Sequence, residues 1–294
     1  MDEFLKGCLT DEDILYHYSS MESFTKIIES KKIRLGNVLQ MNDPTELALR
    51  SFNWIELLYK LYEREPFEFK FNLDNKELDI KKYLDLLSYH QDSIKSDSFF
   101  AFCMSTCYDD LNQWRVYGGN GNGVCLGFDV NDIINLTEKD KSFDYEELEY
   151  RDLHKISELA AQSILAKIRD SYTANDIEQL TKLVKDFYSE LKFFVLRYKH
   201  PAYKAESEAR LLYRKHHIHG DDNPMKADDI IIESSGSNIK TYKEIALSDI
   251  TIKNITFGPI NKVPLDNILL FLYANGINIK PNQIFYSEIP YRAT

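Results

Sequence analysis

Apolar positions change their period along this chain, and the changes mark its elements. Residues 14–18 (ILYHY) form a short apolar run of strand type, after which Met21, Phe24, Ile27 and Ile28 recur at helical spacing. Ser19 and Glu22 stand at capping-box spacing ahead of that helix, and the Lys31-Lys32 pair suits its C-terminus. IRLGN then leaves the helix as a second short strand, so strand, helix and strand follow within about 25 residues.

Asn42-Asp43-Pro44 signals a turn and a helix start, and the segment after it (TELALRSFNWIELLYKLYERE) is apolar at helical intervals. From 66 to 96 the chain is charged and rich in tyrosine with weak period, which predicts an irregular or helical insertion. Residues 98–104 (SFFAFCM) and 124–130 (VCLGFDV) are the clearest buried strands. Between them lie Gln113, Trp114, Tyr117 and the run GGNGNG, which predicts a left-handed turn leading the chain into the second strand. Two amphipathic segments follow, one apolar at Ile156, Leu159, Ala160, Ile164 and Ile168, the other at Ile177, Leu180, Leu183, Val184, Phe187, Leu191 and Phe194. They predict a helical hairpin. The tail returns to strands (YKEIAL, ITIKNITFG, QIFYSEI) with a helix over 264–275, and there are no internal repeats. The expected fold class is α+β, with mixed or antiparallel sheets in a single domain over 1–294 and helical insertions at about 45–96 and 152–198.

Composition narrows the function classes. The chain is 44% hydrophobic and 13% aromatic, ample for a packed core. Forty-seven acidic against 36 basic residues leave a net charge of −11, which repels polyanions at long range and argues against sequence-independent nucleic-acid binding. No run of 18 apolar residues occurs, and the opening MDEFLKGCLTDEDIL is acidic where a secretory signal would be basic and then apolar, so a cytoplasmic protein with no membrane partner is expected. Cys8, Cys103, Cys107 and Cys125 lack the paired short spacing of structural zinc sites and read as reduced thiols. His216, His217 and His219, with Asp221 and Asp222, lack the spacing of helical metal sites, so no metal is expected. The stretch 197–219 is strongly basic and interleaved with tyrosines. It suits a small phosphate-bearing ligand or, equally, a solvated face.

Glu206, Glu208 and Arg210 alternate. If extended, they share one face while Ala205, Ser207, Ala209 and Leu211 share the other, giving a polar cleft face over an apolar one. The plainer reading is an exposed strand on which the glutamates pair with Arg210 and Lys204. Trp114 and Tyr117 are flat surfaces for a base or else core anchors, and the glycine run cradles a pyrophosphate or else simply turns the chain.

Leu15-Tyr16-His17-Tyr18-Ser19 resembles the first motif of the histidine-class (H-Y-E) ADP-ribosyltransferases. FCMSTC, Gln113-Trp114-x-x-Tyr117, the glycine-rich return into VCLGFD, Asn42-Asp43-Pro44, Glu206-Ser207-Glu208-x-Arg210 and the closing IPYR look like a bacterial domain-of-unknown-function family grouped with that fold. The resemblance implies NAD as substrate, cleavage of its nicotinamide–ribose bond, and transfer of ADP-ribose to a macromolecule or to water. Such a transition state has oxocarbenium character and needs a carboxylate. By this resemblance Glu208 holds the ribose and stabilises the cation, and Glu206 positions the acceptor. His17, Tyr18 and Ser19 grip the nucleotide, and Arg34 and Arg210 are cationic contacts, Arg34 to phosphate. Ser105 meets the ribose, and Trp114 and Tyr117 stack on rings, with Tyr117 the nearest candidate for the tyrosine of the second motif. A bacterial toxin or anti-phage effector with a cognate inhibitor or partner protein is the implied role. A non-catalytic nucleotide-binding sensor or interaction protein is the alternative. RNA 2′-phosphate transfer is a third reading that the net acidity disfavours.

Overall fold

The computed structural model describes residues 13–41, 54–64, 70–73, 76–79, 81–82, 98–152, isolated positions within 155–169, then 196–215, 229–236 and 238–292. Cys8, Asn42-Asp43-Pro44, the segment from Ile177 to Phe194, and the group from His216 to Asp222 lie outside the described residues, as does part of the segment from Ile156 to Ile168.

The first three elements are strand β1 (Ile14–Ser19), helix α1 (Met21–Ser30) and strand β2 (Lys32–Asn37). The helix cap is Ser20, whose side chain accepts from the Ser23 amide at 3.1 Å, and not Ser19 as its spacing to Glu22 predicts. Ser19 is still held in the ladder opposite Val124, so the backbone can turn into a helix only one residue later. Lys31, in the left-handed region at φ 55°, ends the helix, whose apolar side buries Phe24 and Ile28.

Helix α2 (Trp54–Arg64) and the hairpin of β3 (Lys70–Leu73) with β4 (Lys76–Asp79) form the described part of the expected first insertion, and this hairpin is a sheet of its own. The remaining elements are β5 (Ser98–Ser105), α3 (Leu111–Val116), β6 (Val124–Asp129), α4 (Val130–Lys139), β7 (Phe143–Glu147), β8 (Glu149–Tyr150), β9 (Tyr198–Lys199), β10 (Glu208–Lys215), β11 (Ile230–Ser235), β12 (Asn238–Ala246), β13 (Ile252–Phe257), α5 (Leu265–Ala274) and β14 (Ile284–Tyr286). VCLGFDV therefore stops being a strand at Asp129, whose carboxylate caps α4 by accepting from the Asn131 amide.

Ten strands form one open, mostly antiparallel sheet in the order β11-β12-β2-β5-β1-β6-β13-β14, with β10 and β7 added beyond β5 and only β14 running parallel to its neighbour. The sheet forks at β5. One edge of β5 pairs over its full length with β10. On the other edge Phe100 and Ala101 pair with β2, whereas Ser105 pairs with Tyr16 of β1. The strands β1 and β2 thus part along the middle of β5.

The glycine-rich return is left-handed as expected, with Gly119, Asn120 and Gly121 at positive φ, but the two strands it joins are not neighbours, because β1 lies between β5 and β6. The connection is α3 followed by a 3-10 turn at Gly119–Gly121, with Asn120 at φ 53°. A Cβ on Gly123 would lie 2.1 Å from the Ser19 carbonyl, so only glycine permits this return.

Successive residues of β1 serve opposite faces, as a period of two requires. Leu15 joins the main core with Phe24, Ile28, Leu35, Phe102, Leu126, Phe128 and Phe257, while Tyr16 and Tyr18 join a smaller cluster with Trp114 and Cys125. Each fully buried aliphatic or aromatic side chain of this kind contributes roughly 1.5–3 kcal/mol.

Candidate functional site

The fork of the sheet shapes the site. His17 stacks on Phe102 with ring centroids 4.3 Å apart, and its Nδ1 lies 2.9 Å from the carbonyl of Cys103, in the stretch of β5 where β1 and β2 have parted. A carbonyl only accepts, so Nδ1 carries the proton and Nε2 is left as an acceptor. Burial pushes the imidazole pKa below its usual value, partly opposed by the bond to Cys103, so the ring is neutral at pH 7. Beside it opens a cleft of about 200 Å³, lined among the described residues by Tyr16, His17, Tyr18, Met41, Cys103, Met104, Gln113, Tyr117, Lys199, Tyr203, Glu206, Glu208 and Arg210.

Glu206 ends a 3-10 helix (Pro201–Glu206), Ser207 is left-handed at φ 43°, and Glu208 opens β10. The expected extended run over Glu206, Glu208 and Arg210 is therefore broken at Ser207. The break is pinned from outside: the Glu206 carbonyl accepts from Ser105 Oγ and from Gln113 Nε2, each at 2.8 Å, and the Ser207 carbonyl accepts from the Thr106 amide at 2.8 Å.

The two carboxylates nevertheless meet. Lys199 Nζ lies 2.6 Å from Glu206 Oε2 and 2.7 Å from Glu208 Oε2, and sits 4.7 Å from the centroid of the Tyr203 ring. Tyr117 donates its hydroxyl to Glu206 Oε1 at 2.8 Å, and Arg210 donates through Nε to Glu208 Oε1 at 2.6 Å. Burial pushes the Glu208 carboxyl up, but Arg210 and then Lys199 outweigh it and hold the pKa at about 2. Burial pulls the Lys199 ammonium down, and Glu208 and Glu206 overcome this, so its pKa lies well above the lysine value. Burial, then the Glu206 carboxylate, pushes the Tyr117 phenol up. Three of the four charges are enclosed, Arg210 being 1% exposed and the Glu208 and Lys199 side chains 6% each, while the Glu206 side chain is 16% exposed.

His17, Tyr18, Tyr117, Glu206, Glu208 and Arg210, six of the residues singled out from the sequence, line this one cleft. The Tyr18 hydroxyl is engaged in the fold, donating to the Cys107 carbonyl at 2.9 Å and accepting from the Asp110 amide at 3.0 Å.

The other four lie elsewhere. Trp114 is fully buried, packs edge-on against Tyr18 and donates Nε1 to Asp109 at 2.7 Å, so it is a core anchor and presents no face for a base. Ser105 holds the Glu206 turn from behind. Ser19 is buried against the Val124 carbonyl. Arg34, expected at a phosphate, is held by Glu233 through two bonds of 2.8 Å and by Glu244 at 3.1 Å, on a solvent-facing side of β2. The glycine run packs against the C-terminal segment, where Tyr291 donates to Asn120 and Ile289 joins the Tyr16, Tyr18 and Trp114 cluster. It forms scaffold behind the cleft.

Lys199 is absent from the sequence-based candidates. It lies inside the basic, tyrosine-interleaved stretch, but the lysine expected to pair the glutamates there was Lys204, and nothing local distinguishes the two. Among the described residues no cluster of His, Cys, Asp and Glu could hold a metal ion, and no helix is long and apolar enough to cross a membrane.

Fold and site together define an α+β protein whose mostly antiparallel open sheet forks around a charge-paired cleft. The model of a family described as "Protein of unknown function (DUF2971)" matches residues 113–211, a stretch that contains Gln113, Tyr117, Lys199, Glu206, Glu208 and Arg210. That part of the chain is similar to a domain of unknown function. No curated protein and no solved structure matches the chain.

Proposed function

We propose that the chain is an ADP-ribosyltransferase-like enzyme that cleaves the nicotinamide–ribose bond of NAD and passes ADP-ribose to a macromolecule or to water. The observation that carries the reading is the meeting, in one cleft, of a neutral His17 with its Nε2 open as an acceptor, the Tyr117 ring and two adjacent carboxylates. The bonding electrons leave with the nicotinamide nitrogen, positive charge develops on the ribose, and the acceptor attacks the same carbon and loses its proton. A carboxylate beside that carbon that is ionised at neutral pH would stabilise the developing charge, and Glu208 is ionised at neutral pH.

The donor set suits the nicotinamide–ribose end of the substrate. The carboxylates accept from sugar hydroxyls, and His17, Tyr117 and Tyr203 supply flat surfaces. A volume of about 200 Å³ is below the roughly 300–1,000 Å³ of sites that enclose drug-sized ligands, so the adenylate would lie outside this cleft. Lys199 and Arg210 already engage the carboxylates, which favours the second reading, a nucleotide-binding sensor without turnover.

The test is release of nicotinamide from NAD by purified protein and by Glu208→Gln. Turnover that falls about 100-fold or more in the variant supports the enzyme. Binding without release supports the sensor, and neither binding nor release refutes both. Impaired growth on expression in a bacterium, relieved by Glu208→Ala, is the outcome expected of a toxin or defence effector; equal growth with and without the substitution counts against that role.

A further inference from the structure

The pairing of β8 with β9 is only two residues long, yet it places two groups on Glu208. Glu149 and Tyr150 run parallel to Tyr198 and Lys199, with Tyr150 opposite Lys199. The Tyr150 hydroxyl accepts from the Glu208 amide at 2.7 Å, while Lys199 Nζ holds the Glu208 carboxylate at 2.7 Å and the Glu206 carboxylate at 2.6 Å. This short ladder therefore brackets Glu208 through main chain and side chain at once. An ammonium with a 6% exposed side chain loses most of its hydration, and two carboxylates are what compensate it. Conversely, without the ammonium the carboxylates of Glu206 and Glu208 would face each other across a partly enclosed cleft.

We propose that Lys199 is the positioning residue of this site: its ammonium holds Glu206 and Glu208 side by side as a charge-compensated pair, so that Glu208 stays ionised where the ribose would bind. The part concerning the ribose rests on the transferase reading above. Among the described residues the charged and titratable groups around Glu208 include Lys199, Arg210, Glu206, Tyr117, Tyr150, Tyr203 and His17. Arg210 donates through Nε to Glu208, whereas Lys199 spans both carboxylates.

Three variants of the full chain test the proposal: Lys199→Met, Lys199→Arg, and Lys199→Met combined with Glu206→Gln. Glu208 is followed by carbon-13 NMR titration of glutamate carboxyls, assigned with Glu208→Gln, and nicotinamide release is measured against pH. In Lys199→Met the Glu208 midpoint should rise from about 2 towards the ordinary glutamate range, and release on the acid side should fall about tenfold for each pH unit the limb moves. Lys199→Arg should keep the midpoint low. In the double variant the Glu208 midpoint should return towards the wild-type value, because the second negative charge that Lys199 balances has been removed.

An unmoved Glu208 midpoint in Lys199→Met, or a double variant no different from the single one, overturns the proposal. If Lys199→Met fails to fold, the other two variants carry the test, and equal loss of folding in all three makes Lys199 a purely structural residue. The titration needs no turnover. A shifted midpoint in a protein that releases no nicotinamide sinks the transferase reading alone, whereas turnover with an unshifted midpoint sinks the role of Lys199 alone.

Discussion

Replacing Glu208 by Gln removes one negative charge from a largely enclosed group of four and leaves the shape of the side chain nearly unchanged. The folded carboxyl titrates at about 2, against 4.5 for an unperturbed glutamate, a gap of about 2.5 pH units. At about 1.36 kcal/mol per unit this corresponds to about 3 kcal/mol. The sign follows from the direction. A carboxyl whose pKa is depressed by folding contributes its stability above the unfolded value, and loses it as pH falls from about 4.5 through about 2.

Urea unfolding of wild type and Glu208→Gln between pH 7 and pH 3 measures the contribution. The variant should be about 3 kcal/mol less stable at pH 7 and pH 5.5, with equal denaturant slopes, and the gap should close from about pH 4.5 downwards, where the carboxyl of the unfolded wild-type chain takes up its proton before that of the folded one. Other carboxylates titrate over the same interval, but those outside the group of Lys199, Arg210, Glu206 and Glu208 are common to both proteins and cancel in the difference. A gap that stays constant down to pH 3, or equal stability at pH 7, would refute the view that Arg210 and Lys199 stabilise an ionised Glu208.

Trp114→Ala should cost about 3–5 kcal/mol in the same unfolding assay, because the ring is fully buried among Tyr18 and Cys125; a cost under 1 kcal/mol would mean that the ring is not a core anchor. Gly123→Ala should lower the melting temperature sharply, since its Cβ would lie 2.1 Å from the main-chain oxygen of Ser19 and neither backbone can yield cheaply; an unchanged melt would rule out this close approach. Arg34→Ala should cost about 0–1 kcal/mol and leave nucleotide binding, measured by calorimetry, unchanged. Binding weakened tenfold by that substitution would show that Arg34 does reach a phosphate.

Much of the architecture is legible from period alone. Strand, helix and strand from Ile14 to Asn37, the buried strands starting at Ser98 and Val124, and helix α5 within the expected 264–275 all follow the apolar spacing. Such spacing reports which side of one element is apolar, and that information is local. Alternation marked Glu206 and Glu208 as polar neighbours, and they do share one cleft, although the extended run it implied is broken at Ser207.

What spacing does not contain is who the neighbour is. The polar run before SFFAFCM and the glycines after it are equally compatible with a hairpin, and only long-range pairing inserts β1 between β5 and β6, so that the sheet forks beside His17. Trp114 reads equally as a stacking surface or a core anchor until Tyr18 and Asp109 close on it from other parts of the chain. Ser207 is left-handed because Ser105, Thr106 and Gln113, about a hundred residues earlier, hold the carbonyls on either side of the turn. Lys199 and not Lys204 meets the carboxylates for the same reason: the β8–β9 ladder carries its ammonium between them. Residue types and their alternation were therefore enough to nominate the two glutamates. Their partners, charge state and burial were decided by contacts between distant segments, whose energies no local window of the chain contains.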